Sequence, residues 1–250
     1  MDSMTVTARE YAYLAACCGA EQLWGLPNPF AGLEGSRLTG AMAQTAASLA
    51  GKGLMKLSFD GEVSFPEETL RLAGCCARPD RSVSLSLPGA KRVSFFERSG
   101  LWTKRTQDGD TIRLETAEPD GALSCFLGSL PLPQEAPLDA LVASREELAA
   151  IAESAGKPER CLRLLCERGV SEGAARQFAE ILRGPCAAAS LTLLDHRLRE
   201  GRGVAVAAGE PGALALAPDA GGVRLFLAGA SRLREVCAPW FGKSGREATA

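Results

Sequence analysis

Apolar positions recur along the first third of the chain with a helical period. Tyr11, Leu14, Ala15 and Cys18 share one helix face, and the start of that helix is marked by Thr7 and Glu10. At this spacing the threonine hydroxyl accepts from the Glu10 amide while the carboxylate reaches back to the Thr7 amide, a capping box. Gly19 closes the helix, and the segment Gly25-Leu26-Pro27-Asn28-Pro29-Phe30 reads as a loop. A second helix is predicted over Arg37–Ala50, apolar at Leu38, Met42, Ala46 and Leu49. The segments 54–57 and 62–65 flank Asp60-Gly61 and read as a small hairpin. Pro66 and Glu67 then open a third helix to about Cys76.

From Ser82 the period falls from helical to two. Val83, Leu85 and Leu87 alternate with serines. Turns at Pro88-Gly89, Ser99-Gly100 and Asp108-Gly109 then separate Val93–Phe96, Leu101–Thr103 and Ile112–Leu114. Four short strands joined by tight turns make an antiparallel meander. A short helix is predicted from Gly121 to Leu127. Pro131, Pro133 and Pro137 then mark the best joint in the chain, because proline ends a helix and resists a central strand. Beyond it, Ser144 and Glu147 form a second capping box and open a helix to about Ala155. Helices over Pro158–Glu167 and Glu172–Arg183 follow. Four strands return at Ser190–Leu194, Val204–Ala208, Ala213–Ala217 and Val223–Ala228, before a last helix from Ser231 to about Trp240 and a polar tail.

The order of elements therefore repeats: helices, a four-stranded meander, a short helix. Gln107–Leu114 lines up with Pro218–Leu225. The fold class expected is α+β, with pseudo-twofold duplicated helix and antiparallel-meander halves and a central sheet carrying helical bundles. The halves expected are 1–130 and 138–243, integrated into one domain.

Charge narrows the partners. There are 28 Lys+Arg against 30 Asp+Glu, so no excess of cations is present to neutralise phosphates, and nucleic acid is disfavoured. No apolar run approaches the ~20 residues that cross a bilayer. The first residues lack the basic and apolar regions of a signal peptide, which makes the cytoplasm the expected compartment. Nine cysteines include two adjacent pairs, Cys17-Cys18 and Cys75-Cys76, with no CxxC and no zinc spacing. They read as reduced thiols serving as small apolar residues, with redox sensing as the alternative.

Candidate chemistry is sparse, and no cofactor, metal or catalytic residue is assigned. The one histidine, His196, follows Asp195. Neighbours on a strand point to opposite faces, so adjacency does not build a dyad, and the residue reads as an exposed histidine at a strand end. Gly201-Arg202-Gly203 reads as a hairpin turn. Glu67-Glu68 and Glu146-Glu147 fall in first turns of predicted helices, where the dipole favours them. Arg160, Arg163, Arg168, Arg176 and Arg183 are interleaved with glutamates and read as a solvated mixed face.

Binding surface remains. If Val83, Leu85, Val93, Phe95, Ile112 and Leu114 face helices, alternation turns Ser84, Ser86, Ser94, Phe96, Arg98 and Arg113 outward. In the second half it turns Arg224 and Phe226 outward. Phe96, Trp102 and Phe226 beside Arg98 and Arg224 are then the candidate partner-binding residues. The competing reading is that helices cover both faces of the sheet, or that the two halves pack there. A winged-helix regulator is a further alternative: helix 37–50, the small hairpin and helix 66–76 imitate such a unit, although its reading helix would begin acidic at Glu67-Glu68. A generic adaptor and an enzyme using Asp195 and His196 complete the set.

Several phrases resemble the EspG family of cytosolic chaperones of type VII (ESX) secretion. These are Thr5-Val6-Thr7-Ala8-Arg9-Glu10 before a helix, Leu23-Trp24-Gly25-Leu26-Pro27, Ser48-Leu49-Ala50-Gly51-Lys52-Gly53-Leu54, the joint from Leu72-Ala73 to Arg78-Pro79, and Leu193-Leu194-Asp195 leading to Glu200-Gly201-Arg202. The chain departs from the family at Leu214-Ala215-Leu216-Ala217-Pro218, which lacks the tryptophan expected before a proline-containing turn. The resemblance implies a pseudo-twofold fold with a central sheet. It also implies a small helical secretion substrate as protein partner, bound through the region after Phe95-Phe96 and through residues 144–183.

Overall fold

The computed structural model describes residues 3–58, 62–89 and 91–242. Among them are eight helices and twelve strands, and the fold is α+β. Ten of the strands hydrogen-bond in the order β1-β7-β6-β5-β4-β9-β10-β11-β12-β8. The chain packs into two units, one formed by Met1–Val83, Ala90–Glu118 and Leu194–Glu200, the other by Ser84–Gly89, Pro119–Leu193 and Gly201–Ala250.

In the first unit, β1 (Ser3–Thr7) runs directly into α1 (Ala8–Cys17), followed by α2 (Gly35–Gly51), the short pair β2 (Lys56–Leu57) and β3 (Val63–Ser64), and α3 (Glu67–Ala77). Next come β4 (Arg81–Ser86), which passes into the second unit, β5 (Arg92–Arg98), β6 (Leu101–Asp108) and β7 (Thr111–Ala117). The meander, the three helices and the hairpin follow the sequence pattern closely. The hairpin's Asp60-Gly61 and the polar tail after Gly242 lie outside the described residues.

The capping box is formed. Glu10 Oε2 accepts from the Thr7 amide at 2.6 Å, and Thr7 Oγ1 accepts from the Glu10 amide at 3.3 Å. Strand β1 has no counterpart in the sequence reading. It lies along β7 with Met4 opposite Leu114 and Val6 opposite Ile112, and those four residues pack with Tyr11, Leu14, Leu72 and Phe96 in one core.

The second unit repeats a strand that leads into a capped helix: β8 (Ala140–Ala143), then α5 (Arg145–Glu153), whose box is made by Ser144 and Glu147. Helices α6 (Pro158–Glu167) and α7 (Glu172–Arg183) follow, with α4 (Gly121–Gly128) preceding β8. Strands β9 (Ala187–Asp195), β10 (Glu200–Gly209), β11 (Gly212–Asp219) and β12 (Gly222–Leu227) lead to α8 (Ala230–Phe241). Strand β8 pairs with β12, placing Leu141 opposite Leu225. Leu141, Leu214, Leu225 and Leu227 then pack against Ile151, Leu165 and Phe178 of α5, α6 and α7. Pro158 sits in the tolerated first turn of α6.

Two expectations are corrected here. Gly201-Arg202-Gly203 lies inside β10; the turn is residues 196–199, where Arg199 takes a left-handed φ of 57°. The cysteines divide: Cys75, Cys76, Cys161 and Cys237 are buried as small apolar residues, whereas Cys17, Cys166 and Cys186 are exposed. Burial pushes the Cys75 thiol up to about 11 and that of Cys237 to about 12.

Candidate partner-binding surface

The aromatic residues expected on an outer face are inside. Phe96 is 1% exposed, Phe226 1% and Trp102 4%. Strand register gives the reason. Phe96 pairs with Thr103, Thr103 with Thr116 and Arg105 with Leu114, so Phe96 shares a face with Ile112 and Leu114 rather than opposing them. Phe95 and Val93 on the opposite face are buried as well. The reading in which both faces of this sheet region are covered is therefore the correct one for β5.

The arginine-aromatic pairing is real but internal. The Arg105 guanidinium stands 4.8 Å from the Phe96 ring, Arg81 5.4 Å from Trp102 and Arg232 4.8 Å from Phe226. Arg98 and Arg224 are exposed as expected. Each is engaged locally: Arg98 Nη1 donates to the Gly74 carbonyl at 3.2 Å, and Arg224 pairs with Asp219 at 2.7 Å.

Around Arg105 the first unit closes its helix-bearing sheet face. Arg105 Nη1 donates to the Tyr11 hydroxyl at 3.0 Å and Nη2 to the Trp24 carbonyl at 2.5 Å. Burial pushes the Tyr11 hydroxyl up, so it stays neutral. Trp24 in turn meets His196, with ring centroids 4.2 Å apart. His196 Nε2 lies 2.8 Å from the buried Ser82 Oγ.

His196 is thus half-buried rather than exposed. It does not join a catalytic triad, because the nearby carboxylates are committed elsewhere. Asp195 Oδ1 accepts from the Arg197 and Leu198 amides at 3.0 and 2.9 Å. Asp80 pairs with Arg197 at 2.7 Å and accepts from the Ser99 amide. The hydrogen-bond partner the ring reaches is the Ser82 hydroxyl rather than a carboxylate.

The second unit leaves part of its helix-bearing face open. Register places Ala205 opposite Leu216 and Leu216 opposite Leu225. Leu225 is covered by the helices, but Leu216 is 37% exposed and Ala205 is exposed. Ala188, Ser190 and Ala207 extend this floor, Leu182 of α7 forms a wall and Ser86 of β4 a rim, enclosing a hollow of about 360 Å³ without a charged lining residue. Small side chains on three neighbouring strands make the concavity.

The β10–β11 turn, apart from this hollow, is held against α7 by glycine geometry. Gly212 takes φ 135°, and a Cβ there would stand 2.8 Å from Gln177 Nε2. That amide donates to the Pro211 carbonyl at 3.0 Å, tying α7 to the β10–β11 turn. Sequence reading missed the hollow because its floor is alanine and serine, which carry no strong pattern; the one available signal was the alternation of Ala205, Ala207 and Leu216 with buried neighbours.

The chain is thus an α+β protein with an uncharged hollow on the sheet strands of its second unit. A family model described as the EspG family matches residues 7–234, and the chain belongs to that family. No curated protein matches the chain. Among solved structures, the chain is similar to the Mycobacterium tuberculosis type VII secretion system chaperone EspG5, solved in complex with the PE25-PPE41 dimer. The TM-score is 0.65 at 16% identity, over 93% of this chain and 93% of that one. No helix among the described residues is long and apolar enough to cross a membrane.

Proposed function

We propose that this protein is a cytoplasmic chaperone of type VII secretion that binds a helical substrate dimer of the PE–PPE kind before export. Membership of the EspG family over residues 7–234 carries the reading, and the relative solved with a PE25-PPE41 dimer supports it. The hollow of the second unit is the docking surface. Its lining of Leu182, Ala205, Ala207 and Leu216 offers apolar area without charge, which suits the bulky apolar tip of a helical hairpin. Burial of such a tip contributes roughly 25 cal/mol per Å² of apolar surface. Small floor residues let the helix ends approach the sheet closely.

The same order of elements in both units supports the further proposal that the chain is an internal duplication, with halves 1–130 and 138–243. Each unit has a strand, a capping box and a helix. In each, that strand pairs with the last strand of its meander, β1 with β7 and β8 with β12.

The test is co-expression with a helical protein pair of the PE–PPE kind, followed by affinity capture and size-exclusion chromatography. A stable complex that is lost in Ala205→Glu, with the variant still folded, supports the reading. Failure of the wild-type chain to capture any such pair would falsify it.

A further inference from the structure

The loop between α1 and α2 is pinned from three sides. Arg78 Nε donates to the Gly19 carbonyl at 2.7 Å, Arg105 donates to the Trp24 carbonyl, and the His196 ring packs on the Trp24 ring. This strap also walls a cleft of about 560 Å³ along α1 and α2, whose lining includes Leu23, Leu26 and Met42. Two of the pins are arginines, which stay charged at any ordinary pH. The third is the chain's single histidine.

We infer that His196 is a pH-sensitive latch: its neutral ring, wedged between Trp24 and Ser82, holds the strap closed, and protonation in mildly acidic solution loosens it. The geometry sets the direction. The imidazole meets an indole face on one side and the buried Ser82 hydroxyl on the other, so a cation formed there loses hydration. The charged groups facing it are Asp80, from the segment before β4, and Asp195, from its own strand; Asp80 is neutralised in part by Arg197. Burial prevails over both carboxylates and holds the ring below the ordinary histidine value of 6.5. When the latch opens, the ring regains water and its ordinary affinity for the proton. The open state therefore binds more protons, and falling pH through 6.5 favours opening, by at most about tenfold per pH unit for one proton.

Native-state hydrogen exchange on the full chain at pH 7.5 and 5.5, corrected for intrinsic exchange, tests this. The reporters are the amides of Ala20 and Leu26, bonded to the Ala15 and Leu23 carbonyls. Their protection is expected to fall between about twofold and tenfold at the lower pH, while amides of the β10–β11 ladder keep theirs. His196→Gln retains a hydrogen-bonding group for Ser82 and cannot titrate, so its strap protection is expected to be flat with pH. Strap protection equal at both values in the wild type overturns the latch, as does a pH response that survives in His196→Gln. The imidazole resonance of this sole histidine gives an independent reading: a titration midpoint at or above 6.5 also overturns it.

Discussion

The two units treat the helix-bearing side of their sheet strands differently. In the first, Phe96, Arg105, Tyr11 and Trp24 are locked together by ring contacts and hydrogen bonds, and His196 and Ser82 complete the seal. In the second, the corresponding layer of α5, α6 and α7 covers Leu141, Leu214 and Leu225 and stops short of Ala205 and Leu216. Large side chains that find internal partners become core. Small ones on neighbouring strands leave a concavity. Size and register thus decide which sheet region stays open, and aromatic content alone does not.

The capping boxes sharpen the same contrast. Both have a hydroxyl residue followed three positions later by glutamate, and both bonds of each box are formed. Glu10 is 2% exposed and also accepts from Ser48 Oγ and Lys52 Nζ, each at 2.7 Å, which ties α1 to α2. Glu147 is more open and pairs with Arg168. One motif starts a helix in both places; the first glutamate is tied to α2 while buried, the second to the end of α6 at a more open position.

The largest expected effect is at Phe96. Phe96→Ala removes a ring from a filled core and is expected to cost about 3–5 kcal/mol, measured by urea unfolding; a surface aromatic would cost well under 1 kcal/mol. Glu10→Ala is expected to cost about 2–3 kcal/mol, since it deletes the cap and two charge-assisted bonds. Glu147→Ala should cost about 0.5–1 kcal/mol, and equal losses at the two glutamates would erase the distinction between the boxes.

Acid should expose the same difference. Burial raises Glu10, but the bonds from Lys52, the Thr7 amide and Ser48 outweigh it and hold the carboxyl below its ordinary 4.5. A folded value below the unfolded one stabilises above pH 4.5, and that stability is lost as pH falls through the folded value. Glu10→Gln should flatten the acid limb of the stability curve, and an unchanged limb would remove Glu10 from the account. The smallest effect on stability is expected for Ala205→Glu. Its side chain enters the open hollow, so the change should stay within about 1 kcal/mol by the same unfolding assay.

Much of the fold was legible because its signals are local. Helices α6 and α7 coincide with the periodic stretches Pro158–Glu167 and Glu172–Arg183, and the meander follows from turn residues between alternating runs. Strands β1 and β8 were not legible. Each is four or five residues long with two buried apolar positions, and each is defined by partner residues eighty or more positions away in sequence. Face assignment failed at Phe96 for a related reason: alternation within a strand fixes which residues share a side, but only inter-strand register tells which side is shared with the neighbour. His196 was read as exposed because nothing in its neighbourhood announces Trp24 or Ser82, which approach through the fold.

The most direct measurement is titration calorimetry of the purified chain with a PE–PPE-type helical dimer, run in parallel with Ala205→Glu and with Lys56→Ala, at an exposed position of the first unit, as the control. The account predicts saturable binding by the wild type and the control, with at least about a tenfold loss of affinity, about 1.4 kcal/mol, in Ala205→Glu. Equal affinity for all three proteins would contradict the hollow as the docking surface. No binding by any of them would contradict the chaperone reading itself.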